Sequence, residues 1–388
     1  MSPRRLESVD LLRGIAMILM ALDHTRDFLG TPGVSPTNLA QASAGLFLTR
    51  WITHVCAPVF FLLVGAGASL ALRSKSRAAL SGFLFTRGLW LIFLEVTVVR
   101  FAMQFNVDYR VTMLIVFWAL GWAMITLSVL VFLPRWTIGT FGVLMIVLHN
   151  VLDIGDSSLF GKLAPLFVVL HQQGPIFSSH GHMVFVAYPL IPWVGVTAAG
   201  FALGKVFEWP SERRKRFLLI LGLGLTVAFL VLRFINDYGD QAPWTRQESA
   251  FFTFLSFLNT TKYPPSLLFL LMTLGPTMLL LCAFDDGTPR WLRPALVYGR
   301  VPLFYFVLHL ALIHLFAVVV CLVRFGGVRR MFESPDMGQY PFNAPPGWGF
   351  SLPGVYLSWI LIVIALYPLC AWFANLKQRR KDPWLSYL

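Results

Sequence analysis

Four ionisable side chains near the start of the chain fall at helical spacing. They lie in the run Ser8-Val9-Asp10-Leu11-Leu12-Arg13-Gly14 and its continuation Asp23-His24-Thr25-Arg26-Asp27. Asp10 and Arg13 are three apart and form an i, i+3 pair on one helix. Arg13 and His24 are eleven apart, about three turns, so they share a face and stand roughly 16 Å apart along the axis. Asp27 lies one turn beyond His24 and would orient its imidazole. Such a face offers a cation for an anionic group at one end and a base suited to neutral pH at the other. The imidazole would serve as a general base on a hydroxyl or amine, or as a transient nucleophile. The competing reading of the same residues is a snorkelling Arg13 and a structurally paired His24. Spacing alone leaves both open.

The elements that must hold these groups are apolar. The 388 residues are 57% hydrophobic, 15% aromatic and 13% charged, against about 25% charged in a soluble chain. Apolar runs reach the roughly 20 residues needed to cross a bilayer. A soluble domain, a disordered chain and a disulfide scaffold are excluded, which leaves an all-α polytopic integral membrane protein. The net charge of +13 does not indicate nucleic acid, because the Lys and Arg are scattered in short clusters between apolar segments. Cys56, Cys282, Cys321 and Cys370 lie within apolar runs at no metal-ligand spacing, so neither a disulfide framework nor a metal is expected. The first apolar segment carries Asp10 and Arg13 and lacks a small-residue cleavage site, so it reads as a span and not as a cleaved leader.

Hydropathy predicts about ten transmembrane helices, at 8–29, 45–72, 82–101, 111–133, 137–152, 182–204, 217–235, 264–284, 296–323 and 353–375. The whole chain, 1–388, reads as one membrane domain. Placing both termini in the cytoplasm puts 20 of the 31 Lys and Arg on that side, as the positive-inside rule requires. That set includes Arg4, Arg5, Arg73, Arg135, Lys205, Arg213, Arg214 and Lys381. The longer loops, about 153–181, 236–263 and 324–352, then share the outer side, where a substrate is expected.

All eight histidines fall in the outer half of this topology. Ionisable groups are costly in a membrane and mark sites or pathways. His24 and His54 are candidates for chemistry, while His171, His180 and His182 read mainly as interfacial residues bonding headgroups. Glu95 and Arg100 read either as a buried pair or as a cavity lining. Asn106, Asp108 and Arg110 read as a solvated outer loop.

Asp10-x-x-Arg13-Gly14, with His24 eleven residues after the arginine, resembles the Arg-x10-His signature of the acyltransferase-3 proteins. The wider pattern resembles the heparan-α-glucosaminide N-acetyltransferase catalytic domain family, especially its bacterial members. It is carried by Arg5-Leu6-Glu7-Ser8-Val9-Asp10-Leu11-Leu12-Arg13-Gly14 and by Ala57-Pro58-Val59-Phe60-Phe61-Leu62-Leu63-Val64-Gly65. Lys262-Tyr263-Pro264-Pro265-Ser266-Leu267-Leu268 and Gly299-Arg300-Val301-Pro302-Leu303-Phe304-Tyr305, leading to His309, complete it. The resemblance implies transfer of an acetyl or other acyl group from cytoplasmic acyl-CoA to an extracytoplasmic sugar or glycolipid. On this reading Asp10 and Arg13 face the CoA, and His24, Asp27 and His54 form the catalytic set, with no metal. The partners are acyl-CoA, a glycan or glycolipid acceptor, membrane lipids and a second copy of the chain in a homodimer, in a bacterial inner membrane. One departure stands out. The loop about 30–44 has no histidine, where the sugar-acetylating lysosomal relative carries the one assigned to catalysis.

Two other classes compete. A small-molecule or ion-coupled transporter would show discontinuous helices around a midplane polar site; the eighth span is interrupted by Gly275-Pro276, but no matching broken span is evident. A haem or redox protein would need paired histidines, and His309 and His314, five apart, diverge by more than about 90° on a helix.

Overall fold

The computed structural model describes residues 6–380 together with 382, 385 and 387. Arg4, Arg5 and Lys381 lie outside the described residues. The chain forms α1 Glu7–Leu29, α2 Ala44–Thr53, α3 Cys56–Ala71, α4 Arg77–Leu94 and α5 Arg100–Gln104. There follow α6 Val116–Leu130, α7 Arg135–Leu148, α8 Ala164–Leu170, α9 Leu190–Leu203 and α10 Ser211–Ile235. The last five are α11 Ala250–Leu258, α12 Leu267–Ala283, α13 Arg293–Arg300, α14 Pro302–Phe325 and α15 Leu352–Arg379. The protein is mostly helical, and each predicted span contains a helix or a helix pair, two of them (111–133 and 182–204) preceded by a strand. Among the described residues seven segments are long and apolar enough to cross a membrane by length and composition. They are Ala44–Ala71, Arg77–Gln104, Arg135–Asp153, Leu190–Glu208, Ser211–Ile235, Pro302–Phe325 and Leu352–Arg379. Helices α6 and α12 are apolar but shorter, and α1 carries Asp10, Arg13, Asp23, Arg26 and Asp27 along its length.

The all-helical expectation needs one correction. The strands β1 Val111–Leu114, β2 Gly174–Ser179 and β3 His182–Val186 form a sheet in the order β1-β3-β2. Residues 111–114 and 182–186, expected to begin helices, are extended instead. The reason lies in the turn between β2 and β3. His180 and Gly181 both have positive φ, +51° and +75°, the backbone of a two-residue hairpin turn whose twist suits antiparallel strands. The strand after it, His182-Met183-Val184-Phe185-Val186, ends in residues that favour a pleated surface.

The chain divides into two compact units. The first comprises Ala57–Glu95 and Met113–Thr288, with the described residues up to Val9. Its helices pack α4 on α6, α7 on α9 and α10 on α12. At the first of these crossings a Cβ on Gly88 would lie 2.6 Å from the Gly121 carbonyl oxygen, so the two backbones touch, as small residues allow in membrane helices. Glu95 closes α4 and accepts from the Phe117 and Trp118 amides at 2.6 and 3.1 Å. It thereby satisfies two of the unpaired donors at the start of α6. Arg73, Arg135 and Lys205, all expected on the cytoplasmic side, converge on Glu208.

The second unit comprises Asp10–Cys56, Val96–Thr112 and Pro289–Leu388. Its central crossing is between α1 and α13. A Cβ on Gly14 would lie 1.9 Å from the Ala295 carbonyl oxygen, and one on Gly299 1.8 Å from that of Asp10. Two indoles also hold α1: Trp359 Nε1 donates to the Ile18 carbonyl at 2.8 Å, and Trp348 Nε1 to that of Phe28 at 3.0 Å. Helix α1 is thus fixed along its length by backbone contacts and by donors aimed at its carbonyls.

Candidate functional site

Helices α1 and α14 together hold a pair of histidines. His24 is half-buried and His309 fully buried, and His24 Nδ1 lies 2.7 Å from His309 Nε2. His309 Nδ1 lies 3.0 Å from the Tyr305 carbonyl oxygen, one turn earlier on α14. A carbonyl can only accept, so His309 carries its proton on Nδ1 and presents a lone pair at Nε2. His24 must then donate from Nδ1, which makes His24 Nε2 the basic nitrogen when the ring is neutral. Tyr305 C=O, His309 and His24 form a directed chain that fixes both tautomers and aims one lone pair.

Around the end of α1 lies a charged network. The Asp23 carboxylate is bonded by Arg50 from α2, by the Thr53 hydroxyl at 3.0 Å and by Arg26 at 2.9 Å. Asp27 pairs with Arg26 at 2.6 Å, so its observed partner is a guanidinium. His54 follows α2 as its C-cap and is buried. Beside this network is a cavity of about 390 Å³, lined among others by Arg26, Asp27, Gln41, Gln339, Tyr340 and Trp348. That volume is within the range of small-ligand sites.

At the other end of α1, Arg13 Nη1 donates to Asp10 Oδ1 and to the Gly299 carbonyl, both at 3.2 Å. The i, i+3 pair expected from spacing is therefore formed. The outer loop is exposed at Asp108 and Arg110, as expected, and is also tied down: buried Arg100 donates to the Asn106 carbonyl at 2.7 Å, to its side chain at 2.9 Å and to Asp108 at 3.3 Å. Burial would raise the Asp108 carboxyl. The Ser334 hydroxyl, the Arg110 amide and the two guanidiniums outweigh it and hold the group below its usual value. Glu95 and Arg100 each have their own partners, so neither reading of them as a mutual pair or a cavity lining is needed.

Three further histidines separate by environment. His180 and His182 are exposed, as an interfacial reading requires, but His171 is buried and bonds Asp153 at 2.7 Å. His314 bonds the Ala102 and Met331 carbonyls at 3.2 and 3.0 Å, while His309 faces His24, so the two share no ligand. Among the described residues no group of three or more His, Cys, Asp or Glu could hold a metal ion. Sequence spacing missed His309 as the partner of His24, because 285 positions separate them. The signal available was His309 itself, an ionisable residue inside an otherwise apolar span.

Several helices long and apolar enough to cross a membrane, beside a half-buried and a fully buried histidine hydrogen-bonded to each other, point to a polytopic membrane protein. Residues 5–235 match the family model described as heparan-alpha-glucosaminide N-acetyltransferase, catalytic. The match covers more than half the chain, and the chain belongs to this family of membrane acetyltransferases. It includes His24 and His54 but ends before His309. No curated protein matches the chain.

Proposed function

We propose that the protein transfers an acetyl or other acyl group from cytoplasmic acyl-CoA to a sugar or glycolipid on the far side of a bacterial inner membrane. The reading takes 1–388 as one acyltransferase domain of about ten spans with both termini cytoplasmic. The convergence of Arg73, Arg135 and Lys205 on Glu208 supports that orientation. The observation that carries the chemistry is the directed chain from Tyr305 through His309 to His24.

His24 acts as general base. Its Nε2 takes the proton of the acceptor hydroxyl or amine as the acceptor heteroatom bonds the thioester carbonyl carbon. The carbon–sulfur bond then breaks, and His24 returns the proton to the departing thiolate. His309 keeps the Nδ1 proton of His24 in place throughout, so the ring is oriented before the acceptor arrives. Arg13, braced by Asp10 and the Gly299 carbonyl, supplies a cation for the phosphates of CoA. Arg26 and Asp27 line the adjoining cavity and are suited to acceptor hydroxyls; His54 is the second candidate base. A homodimer remains part of the reading.

The test is release of CoA thiol from acetyl-CoA by purified protein, with extracted envelope glycans as acceptors. Acceptor-dependent release is expected, and His24→Ala should reduce it by about a hundredfold or more while still inserting. A folded, fully active His24→Ala protein would remove His24 from the mechanism. Wild type that neither binds acetyl-CoA nor releases thiol would remove acyl transfer itself.

A further inference from the structure

The first unit contains a further cluster of buried polar groups, none of which has been given a part in acyl transfer. Helix α7 ends at His149, and the turn after it, His149–Ile154, carries Asn150 and Asp153. Helix α8 ends at His171. Asp153 Oδ1 accepts from His171 Nε2 and from Gln241 Nε2, each at 2.7 Å, and Asp153 Oδ2 accepts from Asn150 Nδ2 at 2.6 Å. Asn150 is itself held by the Leu267 amide at 2.9 Å. His149 and His171 meet edge to face with ring centroids 5.8 Å apart, and both rings are buried.

The tautomers again follow from the partners. His149 Nδ1 faces the Met145 and Ile146 carbonyls at 3.1 and 3.0 Å, so it bears the proton and Nε2 is a lone pair. His171 donates from Nε2 to a carboxylate, so its Nδ1 is a lone pair. Among the described residues neither His149 Nε2 nor His171 Nδ1 has a hydrogen-bond partner. Two neighbouring buried lone pairs without donors are uncommon in a finished interior and point to a ligand or solvent that brings O–H or N–H groups.

His171 stands in the wall of a pocket of about 820 Å³, room enough for a small ligand. The rest of the wall selects among ligand classes. It holds no Lys or Arg, so a phosphate or carboxylate ligand would have no counter-charge. Its carboxylates are largely used: Asp153 as above, Asp240 by the Thr261 amide and hydroxyl and the Ser266 hydroxyl, and Asp156 by the Ser158 amide. A cation would therefore find few free oxygens. Gln172 Oε1 already accepts from the Ser157 amide and Gln173 Nε2 donates to the Ala187 carbonyl, each at 3.0 Å, so what remains is Asp237, the oxygen end of the Gln173 amide, and the rings of Phe167, Tyr238 and Tyr263. Planar amides and carboxylates bridge neighbouring hydroxyls, which both donate and accept, and aromatic faces cover the C–H surface of a ring.

We propose that this pocket is a binding site for a neutral saccharide, with the Asp153–His171 pair in its wall, and His149 packed edge to face on His171, fixing the pattern of hydroxyl donors. The ligand is either a free sugar or the headgroup of a glycolipid. Saccharide binding needs no acyl donor, so it stands or falls separately from acyl transfer.

The experiment is saturation-transfer NMR on the full-length protein in nanodiscs, which avoids sugar-based detergents. The probes are methyl α-D-glucopyranoside, N-acetylglucosamine and a monoglucosyl diacylglycerol incorporated in the disc. Saturation should reach the sugar C–H protons of at least one probe; the soluble probes giving signal identifies a free sugar, and the lipid alone identifies a headgroup. Asp153→Asn reverses the polarity at His171 and should weaken binding about tenfold. Asp237→Ala, at an exposed pocket residue outside the buried network, should weaken it severalfold with folding intact. The proposal is overturned if no probe receives saturation, if both variants bind like wild type, or if Mg²⁺ or Zn²⁺ raises the melting temperature while no sugar binds.

Discussion

His24 Nδ1 stands 2.7 Å from His309 Nε2, and the proton between them belongs to His24. That assignment rests on the Tyr305 carbonyl, which takes the other proton of the pair from His309 Nδ1. A histidine used as an acceptor by a second histidine is itself uncharged, so His24 is oriented by a neutral partner where a carboxylate would add a charge to be compensated.

If His309 positions His24, removing its acceptor nitrogen should impair turnover more than binding. His309→Phe is expected to lower kcat for thiol release by about a hundredfold with KM for acetyl-CoA nearly unchanged. His309→Gln, whose side-chain oxygen can still accept from His24, should recover part of the loss. Equal kcat in wild type and His309→Phe would make the contact purely structural.

Asp23 is the shared anion of Arg26 and Arg50. Their side chains are 9–12% exposed, and a partly buried cation stripped of its carboxylate is poorly compensated. Asp23→Asn should therefore cost about 3 kcal/mol, seen as a lower melting temperature in detergent. Asp23→Asn combined with Arg50→Met should melt above the single variant. A double variant that melts lower still would show that the charges do not compensate each other.

Asp285, outside the spans, ties to α10 through Arg214 at 2.6 and 2.7 Å and Ser211 at 2.6 Å. Burial would raise its carboxyl, but those donors outweigh burial and hold it below the usual range. A group depressed in the folded state stabilises it fully above the unfolded value of about 4 and loses that contribution as pH falls through the folded value. Wild type should thus lose melting temperature between pH 6 and pH 3 (about the window set by those values). Asp285→Asn should start lower at pH 6 and lose less. Parallel curves for the two proteins would dismiss the linkage.

Much of the helical frame was legible because apolar length is a local property. The predicted span 8–29 is α1 at Glu7–Leu29, and 217–235 lies inside α10. The span at 45–72 hid a break between α2 and α3 at His54 and Val55, since hydropathy does not register an interruption of the helical hydrogen-bond ladder. The hairpin at Gly174–Val186 was missed because its first strand lay in the predicted loop 153–181 and its second, ending Met183-Val184-Phe185-Val186, is as apolar as a helix start; only the His180-Gly181 turn distinguished it. At the candidate site, the Asp10–Arg13 pair could be read from spacing, being one turn apart. The partner of His24 could not, because a contact between α1 and α14 is a product of packing. His171 looked interfacial for the same reason: its meeting with Asp153, eighteen residues back, depends on the turn after α7.

The crossing of α1 and α13 has a consequence for how this gene can vary. Every missense change open to a glycine codon by one nucleotide adds a Cβ, and at Gly14 or Gly299 that atom would fall within 2 Å of a carbonyl oxygen. Backbone has no rotamers with which to make room, so neither position has a conservative neighbour in the genetic code. The same substitutions at Gly67 or Gly224, where nothing lies within 4 Å, meet open space. In a population of sequences the two crossing glycines would stay fixed together, because no compensating change at one can accommodate a side chain at the other.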